Sequence, residues 1–420
     1  MRVAVAGGGL AGLVSALELG SSGHDVAVYE ARDELGGRVC STRRNGFVFD
    51  RGFQVLFTAY PEARRYLDYD RLGLRAYSPG ARIASDEGVS TLTDPLRDPG
   101  GAVGAFLSRD VTFADKLRVL RLRAALRNKT RGEVFAEGDD ETTREYLRGR
   151  GFSSRFVERF AEPFYGGVTL DRSLGTSKRV FEFTFSCLAS GETAVPAQGM
   201  GEIPKQLAEK ARDAGAEVVT GTQVENVTPK GEGADGTVEV ETETTEEYDA
   251  VVVATDPQEA ERLTGIETPD GGKGCAAQYY VASDPLDVGK KIVLNADRRG
   301  NEPNQVVPVS NVAPEHSPRG TPLLSATWLE PRDDRSALTG GTRGALSRWG
   351  FGIDIEPVHT AVVEFAQFEQ PPGVHETLPS NDTPEGNVFL AGDYTHDSSI
   401  NGAMLSGRRA AELVESVSVL

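Results

Sequence analysis

The stretch VAVAGGGLAGL, residues 3–13, constrains the fold of this 420-residue chain more than any other. An apolar strand runs into glycines and leaves them as a helix of small residues over 10–20. DVAVYE at 25–30 then reads as the next parallel strand of a βαβ unit. In Gly7-x-Gly9-x-x-Gly12, Gly7 permits the tight turn, Gly9 lets the backbone approach a pyrophosphate, and Gly12 lets helix and strand pack closely. The helix start adds unpaired N–H groups and positive potential. Glu30 ends the second strand 18 residues past Gly12, where an acid accepts from ribose hydroxyls and repels a 2′-phosphate. NADP is therefore disfavoured. A second match to the glycine pattern, GEGADG at 231–236, is acidic, joins two strands and precedes no helix, so it reads as a hairpin loop.

The remaining chain divides by pattern. Residues 61–195 carry arginine-rich helical stretches, and 199–214 read as a helix closed by Gly215. AEVV, QVENVT and TVEVET follow as an antiparallel meander, and DAVVVAT contains a uniformly apolar, buried parallel strand. Residues 256–384 form a second mixed block, and the end reads strand, loop, helix. We expect a dinucleotide domain built from 1–70, 196–255 and 385–420, with 71–195 and 256–384 forming a second domain.

Composition narrows the classes. A net charge of −18 argues against nucleic acid, which needs a basic face. The acids are spread along the whole chain, as suits a solvated surface in high intracellular salt and a halophilic source. No apolar run has the ~18 residues of a spanning helix, and no secretory leader is read at the start. The three cysteines are far apart and the five histidines scattered, so neither a disulfide framework nor a metal site is expected. A cytoplasmic location follows.

Two further segments sharpen the cofactor. EARDELGGRV brings Gly36, Gly37 and Arg38 just past Glu30, and FDRG follows at 49–52; near the end stands VFLAGDYTHDSSINGAMLSGRRAAELV. Together these resemble the fingerprints of the flavin amine oxidase, protoporphyrinogen oxidase and phytoene desaturase superfamily, with most likeness to phytoene desaturase-type members. The resemblance implies an α/β fold: a Rossmann-like FAD-binding domain of discontinuous segments plus a mixed-sheet and helical substrate domain. It implies that FAD lies against Gly7, Gly9, Leu10, Ala11 and Gly12, then Glu30, Ala31 and Arg32, then Gly36, Gly37 and Arg38. Gly52, Phe53 and Gln54 approach the ring, Val224 meets the adenine through its backbone, and Ala254 also lies against the cofactor. At the C-terminal motif, Gly392 and Asp393 meet the ribityl chain. Asn401, Gly402 and Ala403 open a helix whose N–H groups favour the flavin edge that becomes negative on reduction.

The resemblance implies hydride transfer to flavin N5, chemistry that asks few acid–base residues of the protein. Gln54 and His396 are the weak catalytic candidates. The expected substrate is small, apolar and of isoprenoid or carotenoid type. The alternatives are an amine oxidase using oxygen and a flavin-bound protein without turnover. THDSSIN lacks an aromatic after Tyr394, which departs from an amine cage. Residues 109–131 carry eight Lys/Arg against two Asp. That segment invites peripheral contact with an anionic membrane, against the alternative of a solvated helix packed on the substrate domain.

Overall fold

Five strands form one wholly parallel sheet in the order Glu217–Thr220, Asp25–Glu30, Arg2–Ala6, Ala250–Val253 and Val388–Leu390. The computed structural model describes residues 1–93, 111–136, 138–230, 236–384 and 386–418. Arg109 and Asp110, at the start of the basic segment, lie outside these residues, as do positions 231–235 of GEGADG. Along Arg2–Ala6 both faces are apolar: Val3 and Val5 pack towards helices Leu10–Ser21 and Ile400–Ser418, while Ala4 and Ala6 meet residues of the opposite layer. A strand covered on both faces must read as a continuous apolar run, and this one does.

The opposite layer is an antiparallel meander of Asn226–Lys230, Thr237–Glu241 and Thr245–Tyr248. Val238 and Val240 face the parallel sheet and Glu241 faces out. Here the structure corrects the sequence reading. AEVV does not join the meander, because Val218 pairs in parallel with Val28 at the sheet edge. An edge strand is half exposed, so its polar ends imitate the alternation of a meander strand.

A seven-stranded sheet, Ile355–Phe368, Gly272–Ala282, Leu323–Trp328, Gln305–Val307, Val293–Asn295, Ala81–Ser85 and Gly88–Leu92, forms a second layer. It is antiparallel except where Val293–Asn295 meets Ala81–Ser85. Helices Phe113–Leu126, Thr143–Gly149 and Lys178–Ser190, with the continuous helical run 154–169, share a separate core around Leu122, Leu147, Phe156 and Phe181. No helix among the described residues is long and apolar enough to cross a membrane.

Candidate functional site

The glycine turn is shaped by three different demands. Gly7 has φ 111°, and a Cβ there would stand 2.6 Å from the Ala254 carbonyl oxygen. A Cβ on Gly12 would stand 2.0 Å from the Gly7 oxygen, so helix–strand contact requires glycine. A Cβ on Gly9 would meet no atom within 4 Å. Packing thus dictates Gly7 and Gly12, whereas Gly9 leaves room for an occupant. The Gly8 N–H donates to Glu30 Oε2 at 2.9 Å and the Arg32 N–H to Oε1 at 3.0 Å, so the carboxylate is aimed before anything binds. Gly36, at φ 112°, donates to the Gly8 oxygen at 2.9 Å and locks the second glycine segment onto the first.

This turn opens one end of a continuous cavity of about 1310 Å³. Gly7, Gly9, Leu10, Ala11, Glu30, Ala31 and Arg32 line it, as do Gly36, Gly37 and Arg38. Gly52, Phe53, Gln54, Val224, Ala254, Gly392, Asp393 and Ala403 continue the wall. Gly12, Asn401 and Gly402 stand behind it. Asn401 instead accepts the Glu62 N–H through Oδ1 at 3.1 Å.

At the C-terminal motif Arg38 donates to both oxygens of Asp393, at 2.9 and 2.5 Å, and the Ser398 hydroxyl adds a third bond at 2.9 Å. Ser399 caps the last helix by accepting the Gly402 N–H at 2.8 Å. Ser398, Ser399 and Ile400 line the cavity ahead of Ala403, which of the expected Asn401, Gly402 and Ala403 is the one in its wall. A serine pair ahead of an apolar run was the available signal.

Gln54 Nε2 donates to the carbonyls of Arg38, at 2.8 Å, and Arg51, at 3.1 Å. Those bonds fix the amide and leave Oε1 buried without a partner among the described residues, in the cavity wall. It is an acceptor set for a bound N–H. His396 is different. It is not in the wall, and burial first, then the nearby Arg131, pulls its imidazole down to about 4. It is therefore neutral near pH 7.

From the dinucleotide end the cavity continues past Phe53, Tyr60 and Tyr77 into an aromatic channel that the sequence reading missed. Phe152, Phe156, Phe160 and Phe164 stand at four-residue intervals and all line it. Phe152 and Phe156 stack at 4.6 Å between centroids, and Phe160 and Phe164 at 5.2 Å. On an ideal α-helix, four residues overshoot a turn by about 40°. The wider π-turn at Val157–Ala161 offsets that drift and keeps the rings on one side. At the far end, Phe113, Leu117 and Leu120 line the mouth while 71%, 41% and 43% exposed. Spaced i, i+4 and i+7, they share one face of helix Phe113–Leu126.

The fold and its glycine cradle define a dinucleotide-binding flavoprotein architecture. The flavin containing amine oxidoreductase family model matches residues 10–415, and the chain belongs to that family. It is 31% identical over 173 residues to protoporphyrinogen oxidase 2 of Arabidopsis thaliana, covering 40% of this chain and 32% of that protein. It is 32% identical over 166 residues to 15-cis-phytoene desaturase of Synechococcus elongatus, covering 37% and 34%. The matched segments thus span about a third of these relatives' lengths. An oxidoreductase from Methanosarcina mazei shares the fold, with TM-score 0.74, 17% identity, and 98% of this chain and 100% of that one covered. The cofactor is FAD, and the site fits it: open space at Gly9, an aimed Glu30 carboxylate and the unpartnered Gln54 acceptor.

Proposed function

We propose that this chain is an FAD-dependent desaturase or dehydrogenase that takes hydride from a long, apolar, isoprenoid-type substrate. One observation carries the reading: the cradle and the exposed apolar helix are the two ends of a single aromatic-walled cavity. From Phe156 to Phe164 the helical part of the ladder alone extends roughly 12 Å at ~1.5 Å per residue, and Phe152 prolongs it. That length suits a chain better than a compact amine. Its rings offer large apolar surface with few rotamers to immobilise. FAD supplies a two-electron acceptor for the hydride. The protein's part is to orient the chain along the ladder and to exclude water. Segments 1–70, 196–255 and 385–420 are assigned to the cofactor, and 71–195 and 256–384 to the substrate.

Phe113, Leu117 and Leu120 suit insertion at a membrane surface, with Lys116 and Arg123 on the same helix facing the mouth. An apolar substrate then passes from bilayer to channel without crossing water. We assign the chain to the cytoplasmic side as a peripheral protein.

The test is anaerobic bleaching of the flavin absorbance against solubilised isoprenoids and, in parallel, amines. Bleaching by isoprenoids alone is the expected result. Bleaching by an amine overturns the reading in favour of an oxidase.

A further inference from the structure

The loop between Asp393 and the last helix is anchored twice. Arg38 holds its first residue, as described. Its other end is held by Arg131, the last residue of the basic 109–131 segment. Arg131 Nε donates to Asp397 Oδ1 at 2.7 Å, and Nη2 donates to the same oxygen. The second oxygen of Asp397 accepts the Ser399 hydroxyl at 2.5 Å, and Ser399 in turn receives the Gly402 N–H. Arg131 therefore reaches the cap of the last helix through two side chains.

The pair is out of solvent: the side chains of Asp397 and Arg131 are 4% and 16% exposed. Burial by itself raises the Asp397 carboxyl, but Arg131 and the Ser399 hydroxyl outweigh it and hold the group below the usual range, so it is ionised. His375 and His396 flank the pair, and burial pulls both down to about 4. Around neutrality both rings are uncharged, and besides the Arg131–Asp397 pair, Asp140 and Arg179 act on His375 while Arg408 and Arg409 act on His396. Arg131 also begins the helix that follows the mouth helix by four residues, and its guanidinium lies 4.3 Å from the Phe135 ring centroid.

We infer that Arg131 is a positioning residue for the cofactor, fixing the cap of the last helix through Asp397 and Ser399 and cancelling the Asp397 charge beside the flavin edge. The inference rests on the flavin edge lying at the start of that helix. Without the arginine, a buried anion stands near a group that becomes negative on reduction, and reduction is disfavoured. Without the aspartate the reverse holds.

The experiment is the reduction potential of the FAD-loaded protein, measured against a reference dye. R131M should shift the equilibrium about tenfold towards oxidised flavin, ~30 mV for a two-electron couple. D397N should shift it the opposite way, R131M/D397N should return near the parent value, and R131K should restore most of it. A structural role alone predicts no opposed signs. If R131M and D397N move the potential in one direction, or not at all, the strap is wrong. Ala403→Asp, in the cavity wall, separates the two claims. If it moves the potential or abolishes FAD binding while the Arg131 and Asp397 variants do nothing, only the strap fails. If none of them acts, the placement of the flavin edge fails as well.

Discussion

Arg38 grips Asp393 as a fork, Nη1 to Oδ2 at 2.9 Å and Nη2 to Oδ1 at 2.5 Å, across 355 residues of sequence. The aspartate side chain is 5% exposed and the arginine 31%. The first and last segments of the cofactor cradle are thus tied by protein alone. Removing one partner strands the other charge, which costs 3–5 kcal/mol in fully buried pairs. Partial exposure of Arg38 puts this pair at about 3 kcal/mol or slightly less. Urea melts of the apoprotein check it: R38M and D393N should each lose that much. A loss under ~1 kcal/mol would mean the fork does not hold the apoprotein together.

Gly9 and Gly12 should fail in different ways. Gly9→Val places its side chain in open space, so the melting temperature of the apoprotein should stay near the parent value while bound FAD absorbance is lost. Gly12→Ala drives a methyl to 2.0 Å from the Gly7 oxygen, a backbone atom that cannot swing aside. It should destabilise the apoprotein itself by ~2 kcal/mol or more. Equal melting losses from both would contradict this division.

The cradle was legible because its constraints are local. A glycine demanded by a backbone oxygen, or an acid at a strand end, leaves its mark within a few residues of the turn. AEVV misled because an edge strand and a meander strand share one half-polar pattern, and pairing to Val28 is decided by tertiary contact. The phenylalanine ladder was written openly as a four-residue repeat. Its common facing depends on the π-turn at Val157–Ala161, which helical periodicity alone does not anticipate. In sequence Arg131 is only one more cation of the basic 109–131 segment, whereas in the fold its side chain is 16% exposed and paired with Asp397, 266 residues away.

The mouth and the ladder separate docking from passage. Leu117→Glu with Leu120→Glu should weaken binding to anionic vesicles at least tenfold and slow oxidation of vesicle-embedded substrate. Detergent-solubilised substrate should still bleach the flavin, because the channel behind is intact. Phe160→Trp should instead slow bleaching by long substrates from either source, with the flavin spectrum unchanged. If the mouth variant binds vesicles normally, helix Phe113–Leu126 is not the docking surface.

The charge of −18 predicts a salt response. Between 0.1 and 1 M salt the Debye length falls from about 10 to 3 Å, which screens repulsion between spread acids. Exposed pairs such as Arg71–Glu209 weaken too, but each is worth only about 0–1 kcal/mol. Net, the melting temperature should rise with sodium chloride over this range. A fall would remove the argument for a high-salt origin.

His375 and His396 set the acid limit. In the unfolded chain each titrates near 6.5, whereas burial in the fold pulls both to about 4. As pH drops below 6.5 the unfolded chain takes up protons first, so stability present above that pH is lost down to about 4. A gap of this size is worth roughly 3 kcal/mol for each ring taken alone. Both face Arg131 and Asp397, so their joint effect is smaller than the sum. The Asp397 carboxyl, lowered in the fold, contributes its own loss only further into acid. Urea melts at pH 8 and pH 5 should therefore show a clear drop that H396Q reduces. An unchanged drop in H396Q would mean that the folded chain protonates this ring as readily as the unfolded one.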